Sequence, residues 1–90
     1  MRSLPELRAQ IDAIDAQITR LFVERMEIAK EIGSLKKQQG LPIQNRGREE
    51  QVLESRAGQV PPPLQAPVRA LYEKLFALSR DYQKEESGKP

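Results

Sequence analysis

The first 40 residues carry an apolar repeat that is too long for a compact chain of this size. Between Leu4 and Gln39, apolar residues recur at alternating steps of four and three, which predicts one amphipathic helix. The members of this apolar stripe are Leu7, Ile11, Ile14, Ile18, Leu21, Ile28, Ile32 and Leu35. Such a helix would be about 52 Å long, whereas a compact chain of 90 residues is only about 30 Å across. One copy cannot cover the stripe, so we expect an obligate homodimer of packed long helices.

Capping residues mark both ends of this first helix. Ser3 and Glu6 have the spacing of a capping box, and Pro5 falls in the first turn, where its missing N–H costs nothing. Gly40 suits the left-handed position that follows a helix. Gly33 lies in the helix interior, where it would cost about 1 kcal/mol relative to alanine. We interpret it as a site of close packing or of local slack.

Two further helices follow, and no strand pattern is present. Asn45 is a plausible N-cap for a helix at residues 46–57. Three consecutive prolines then form a stiff connector, and a third helix should begin between Leu64 and Pro67 and end near Lys84. The predicted fold is therefore all-α, with three helices per chain, one of them very long, in a helical homodimer. Residues 1–84 would form one domain, and residues 85–90 a polar tail or a linker to a fused domain.

The composition excludes several classes of function. The chain has no cysteine and no histidine, which removes ordinary zinc sites, Ser-His-Asp triads and imidazole bases. Its net charge of +2 and its four aromatic residues do not suggest nucleic-acid binding. No segment resembles a membrane span or a secretory signal, so we expect a cytoplasmic protein. An enzyme of this composition would have to act through positioning and electrostatics.

Three long cations interrupt the apolar surface of the first helix. Arg25 occupies a position of the apolar stripe, and Arg8 and Lys36 lie on the adjoining line with Phe22 and Ala29. A buried polar residue at such a position can simply set the register of paired helices. Unpaired buried cations are costly, however, unless an anion meets them. A ligand with carboxylates, a phosphate or an acidic peptide would satisfy them.

The spacing of these cations agrees with the predicted dimer. Arg8 and Lys36 are 28 positions apart, or about 42 Å along one helix. One chain cannot bring both to the same small molecule, but two antiparallel copies can.

Other polar residues have two interpretations from the pattern alone. Ser79 and Gln83 share one face of the third helix, and Arg48 adjoins Glu49 in the second. Each pair is more often a solvated face than a site. Arg80 is interpreted as a surface charge.

Taken together, these residues resemble the all-helical chorismate mutases. In the first helix the resemblance is carried by Leu7, Arg8, Ile11, Ile14, Asp15, Ile18, Leu21, Glu24, Arg25, Ala29, Ile32, Gly33 and Lys36. It continues through Pro42, Ile43, Asn45, Arg46, Gly47, Arg48 and Glu49, and then through Tyr72, Phe76, Ser79 and Gln83. Polar residues match at unusual positions, so the resemblance is specific.

The resemblance implies an isomerase of phenylalanine and tyrosine biosynthesis. Proteins of this family are intertwined homodimers that convert chorismate to prephenate without cofactor or metal. By analogy, Arg8 of the partner subunit and Arg25 would bind the two carboxylates. Lys36 would reach a carboxylate and the ether oxygen, and Gln83 would donate to that same oxygen.

The remaining site residues are also assigned by the resemblance. Ser79 and Arg48 would support the carboxylate contacts, and Glu49 would hold the ring hydroxyl. The family often has aspartate where this chain has Asn45, which implies a changed grip on that hydroxyl. Three alternatives remain. They are an isochorismate-pyruvate lyase on the same fold, a ligand-sensing domain fused to an enzyme such as DAHP synthase, and a helical dimerisation domain whose cations only set register and which binds no dicarboxylate.

Overall fold

The computed structural model describes residues 1–87 and contains three helices in this part of the chain, with no strand. They are α1 (Leu4–Gln39), α2 (Arg46–Ala57) and α3 (Pro62–Ser87). The bounds of α1 and α2 are those that the sequence predicts. The all-α class with three helices is therefore confirmed.

The ends of α1 are fixed by the residues that the sequence indicates. The Ser3 hydroxyl accepts a hydrogen bond from the Glu6 backbone N–H at 3.3 Å. At the other end, Gly40 has φ +70°, and the next residue, Leu41, donates its backbone N–H to Lys36 O at 2.8 Å. A left-handed glycine with this hydrogen bond satisfies carbonyls that the end of a helix leaves free.

Both predicted ends of α3 were wrong. The helix begins at Pro62 and includes Pro67 in its interior, and it continues beyond Lys84 to Ser87. The first turn of the helix is closed by Leu64, whose backbone N–H donates to Pro61 O at 2.9 Å. Pro67 is exposed, so the carbonyl that its missing N–H would have met is near solvent. The first residues of the predicted tail are thus helical, while residues 88–90 lie outside the described part.

The three helices form a thin, elongated arrangement. The Cα extents are 56 × 29 × 13 Å and the radius of gyration is 16.5 Å, whereas a compact chain of this length would have a radius near 12 Å. α3 packs on the C-terminal half of α1, and α2 packs on α3. The buried apolar residues of the described chain are Ala29, Leu53, Ala57 and Phe76. A single copy therefore has almost no core.

The apolar stripe of α1 is open along its whole length. All eight of its side chains are between 37% and 58% exposed. The N-terminal half of α1 contacts neither of the other helices closely, since residues 1–21 are all exposed. None of the helices described is long and apolar enough to cross a membrane.

Candidate active site

A cavity of about 360 Å³ opens between the C-terminal half of α1, the start of α2 and the C-terminal half of α3. Ligand pockets of proteins start near this size. Seven of the eight residues predicted for the site line it, namely Arg25, Lys36, Asn45, Arg48, Glu49, Ser79 and Gln83. Its apolar wall is formed by Ile28, Ala29, Ile32, Ile43, Val52 and Phe76.

Arg25 is held at the α1–α3 interface, where it is half-buried. Its Nη1 donates to the Ser79 hydroxyl at 2.8 Å, and its guanidinium carbon lies 5.8 Å from the centre of the Phe76 ring. The ring face attracts the cation, and the hydroxyl fixes its direction. Ser79 in turn lies 3.7 Å from the sulfur of Met26. These contacts orient Arg25 without neutralising it.

Lys36 contributes a second cation from the last turn of α1. Its Nζ donates to the backbone oxygen of Ile43 at 2.7 Å. This bond joins α1 to the segment that leads into α2. Among the described residues, neither Lys36 nor Arg25 forms an ion pair. Both retain a positive charge that an anionic ligand could meet.

The start of α2 supplies three polar residues to the cavity. Asn45 caps the helix, and its Oδ1 accepts from the backbone N–H of Arg48 at 3.0 Å. The Arg48 side chain donates to Gln51 at 2.9 Å. Since the Asn45 oxygen is occupied by the cap, the amide N–H₂ is the group left to face a ligand.

Gln83 and Ser79 are the two buried polar side chains that the described residues contribute to the lining of the site. Gln83 is 7% exposed, and its Oε1 has no hydrogen-bond partner in the described part of the chain. Leaving a buried amide unpaired costs about 1–3 kcal/mol. This oxygen can accept a hydrogen bond from a ligand, and a 180° rotation of the amide would instead turn its N–H₂ to the same place, where it could donate to a ligand oxygen.

Gly33 accounts for the depth of Gln83. A Cβ at position 33 would lie 3.0 Å from Gln83 Cγ and 3.1 Å from Gln83 Cβ, so tight that the Gln83 side chain would have to shift. Of the two sequence interpretations, close packing is the one observed. The absent side chain lets α3 approach α1 at the level of the cavity.

Arg80 lines the same cavity, and its interpretation as a surface charge was wrong. Its Nη1 lies 2.6 Å from Glu49 Oε2, and the two side chains are 26% and 22% exposed. The pair joins α3 to α2 beside the predicted site. Nothing in the helical pattern of α3 separates Arg80 from its exposed neighbours, because its partner lies 31 positions earlier in the chain.

Arg8 is the one predicted site residue outside the cavity. It lies near the start of α1, where every side chain is exposed. The structure of one chain therefore holds a site with four cations, Arg25, Lys36, Arg48 and Arg80, and one carboxylate, Glu49. This excess of positive charge, with a buried amide opposite it, suits a small ligand that carries more than one carboxylate.

Comparison with known proteins identifies the family. The sequence profile described as "Chorismate mutase type II" matches residues 7–84. The chain belongs to this family. The resemblance predicted from the residues is thus confirmed, and with it membership of a family of isomerases in aromatic amino-acid biosynthesis.

Individual relatives agree with the family. The fold is similar to the structure of chorismate mutase (form II) from Thermus thermophilus, with a TM-score of 0.86 and 32% identity over 90% of this chain and 93% of that one. The chain is also 38% identical over 58% of its length to a chorismate mutase from Methanocaldococcus jannaschii. It is 46% identical over 60% of its length to a bifunctional chorismate mutase/prephenate dehydratase from Aquifex aeolicus.

The curated relatives are longer than this chain. The match covers 52% of the Methanocaldococcus protein and 15% of the Aquifex protein. The chain thus spans about half or less of the curated relatives described here. The described residues contain no group of acidic side chains arranged to hold a metal ion.

Proposed function

We propose that this chain catalyses the rearrangement of chorismate to prephenate, as an intertwined homodimer with two equivalent sites. The observation that supports this most directly is the cavity itself. Side chains from three helices converge there on a space lined by cations that form no ion pair among the described residues, Arg25 and Lys36, and by a buried amide whose oxygen has no hydrogen-bond partner there.

Each polar residue has a role that its position allows. Arg25 binds one substrate carboxylate, with Ser79 supporting it, and the partner's Arg8 binds the other. Lys36 and Gln83 donate to the ether oxygen from opposite sides. Arg48 supports a carboxylate contact, and Glu49 and Asn45 face the ring hydroxyl.

This arrangement fits a reaction that needs no nucleophile and no base. The ether C–O bond breaks as a C–C bond forms within one molecule, and negative charge develops on the ether oxygen. Opposed cations hold the substrate in the compact shape that reacts. An acceleration of about 10⁶ corresponds to about 8 kcal/mol. Two preorganised donors at roughly 3–4 kcal/mol each would supply most of it.

Two features of a single copy support the dimer, namely an incomplete site and an exposed apolar stripe. The cavity lacks Arg8, and the eight side chains of the apolar stripe remain about half exposed. Covering them with a second copy would contribute roughly 1 kcal/mol for each side chain. An antiparallel partner would bring its own Arg8 toward Arg25 and Lys36.

The test is to mix the purified protein with chorismate and follow the loss of its ultraviolet absorbance. We expect turnover to prephenate with no added metal or cofactor. A parallel assay with isochorismate separates the mutase from the lyase, because only the lyase would release pyruvate from it. Failure to convert chorismate would overturn the proposal.

We also propose that the protein is cytoplasmic and that residues 85–90 are a polar tail or a linker to a fused enzyme domain. The name of the Aquifex relative describes a bifunctional protein, which supports a fusion in that protein.

A further inference from the structure

We infer that Arg80 is a positioning residue, which aims the Glu49 carboxylate at the substrate and keeps it away from the cations that bind substrate. This inference rests on the proposed function. It begins from the ion pair between Arg80 on α3 and Glu49 on α2, whose atoms are 2.6 Å apart.

The geometry of the pair leaves half of the carboxylate available. Arg80 donates to Oε2 of Glu49, and no described residue donates a hydrogen bond to Oε1. Both side chains line the cavity and are only about a quarter exposed. A carboxylate fixed through one oxygen presents the other in a constant direction. Oε1 is then the acceptor for a substrate hydroxyl.

The charges of the cavity give the pair a second effect. Glu49 is the one acid among four cations in the lining. Without a fixed partner, its carboxylate would be attracted to Arg48, Lys36 or Arg25 and would compete with the substrate carboxylates for them. Arg80 prevents this competition by engaging the carboxylate from a residue that the proposed mechanism does not use.

The pair also fixes the position of α2. Cα atoms of α2 approach those of α3 but not those of α1 within the described chain. The start of α2 carries Asn45, Arg48 and Glu49, and the ion pair ties that start to the helix that bears Ser79 and Gln83. Arg80 therefore affects how the ring end of the substrate is held more than how the ether bond breaks.

The experiment compares Arg80→Met with wild type. We expect KM for chorismate to rise about tenfold, while kcat changes by less than about threefold because the ether-oxygen donors are untouched. Arg80→Lys keeps the charge and should restore KM to within about threefold of wild type. Arg69→Met is the matched control, since Arg69 lies exposed on the same helix outside the cavity, and its KM should not change.

The decisive variant is the double substitution of Arg80→Met with Glu49→Gln. If the freed carboxylate competes for the substrate-binding cations, neutralising it should lower KM below that of Arg80→Met alone. If the effects of Arg80→Met and Glu49→Gln on KM simply add in the double variant, Arg80 binds the substrate itself and the inference is overturned. An unchanged KM in Arg80→Met would overturn it as well.

A binding measurement separates this inference from the proposed function. The dissociation constant of prephenate, measured by calorimetry, should follow the same order across the variants as KM. Wild-type protein that binds prephenate but does not convert chorismate would refute the activity and leave the Arg80 comparison measurable. Wild-type protein that does neither would overturn both.

Discussion

Gly33 on α1 lies against Gln83 on α3, and this contact predicts an effect on activity. Gly33→Ala should lower kcat by about tenfold or more, because the new Cβ would displace Gln83. The free energy of unfolding should stay within about 1 kcal/mol of wild type, since the gain in helix propensity offsets the crowding. Steady-state kinetics and urea unfolding measure the two effects.

The control for this substitution is Gly47→Ala. Gly47 is also helical, and the nearest atom to a Cβ at position 47 would be Asn45 Oδ1 at 3.6 Å, an ordinary contact. Its kcat should remain near that of wild type. Wild-type kcat in Gly33→Ala would mean that α3 adjusts without moving the Gln83 amide.

The side chain of Gln83 also predicts the pH dependence of the reaction. An amide does not titrate, and the chain has no histidine. Activity should therefore not decline between about pH 5 and about pH 8. Measuring kcat/KM across that range checks this. A steep fall as the pH rises would argue that a protonated carboxylic acid is the donor.

At the scale of single residues, the sequence predicts the cations better than their partners. Arg25 and Lys36 stand out because charge interrupts an apolar pattern within one helix. Arg80 does not, because its significance comes from Glu49 on another helix, and only the packing of α2 on α3 brings them together. The role of Gly33 in close packing likewise becomes clear only from its contact with Gln83 on another helix.

At the scale of elements, α2 depends on its cap. It buries only two residues, Leu53 and Ala57, and Asn45 accepts the backbone N–H of Arg48 at its start. Asn45→Ala should lower stability by about 1 kcal/mol and raise KM, since Arg48 and Glu49 would lose their fixed position. Asn45→Asp keeps the cap and should retain the stability of wild type.

Urea unfolding and hydrogen exchange of the α2 amides test this prediction. Faster exchange in Asn45→Ala should be confined to α2. If the two variants were equally stable, the cap would not be what holds the start of this helix.

The helix bounds show which local signals are reliable. Ser3, Gly40 and Asn45 each act through a hydrogen bond to a backbone group within four residues, and the ends they mark are the observed ones. The sequence predicts too late a start for α3, because a proline such as Pro67 normally fits only the first turn of a helix. An exposed proline near the start of a helix loses one hydrogen bond to solvent, and the packing of Phe76, Ser79 and Gln83 outweighs that loss.

At the scale of the whole molecule, the proposed sharing of each site between two copies can be tested by mixing variants. Arg8→Ala and Lys36→Ala should each be nearly inactive alone. After joint unfolding and refolding, activity should return to about a quarter of wild type, since half of the dimers are mixed and each mixed dimer has one intact site.

Mixing Arg25→Ala with Lys36→Ala provides the matched control. One chain contributes both residues to a site, so every site in a mixed dimer would carry one of the two substitutions. No activity should return in this mixture. Recovery in both mixtures, or in neither, would contradict the antiparallel arrangement.

The length of α1 predicts a partner from the sequence alone, because one short chain cannot cover the apolar stripe of so long a helix. The pattern does not predict which residues of the two copies contact each other. Those contacts depend on the angle at which two helices cross, whereas the residue spacing along one helix determines only which side chains share a face.

In the proposed dimer each chain is only 13 Å deep and has almost no interior of its own to retain when its partner leaves. Folding and assembly then become one concentration-dependent event. Specific activity should decline on dilution, and melting temperature should climb with the amount of protein present. An organism that makes too little of this chain would lose catalysis faster than it loses polypeptide.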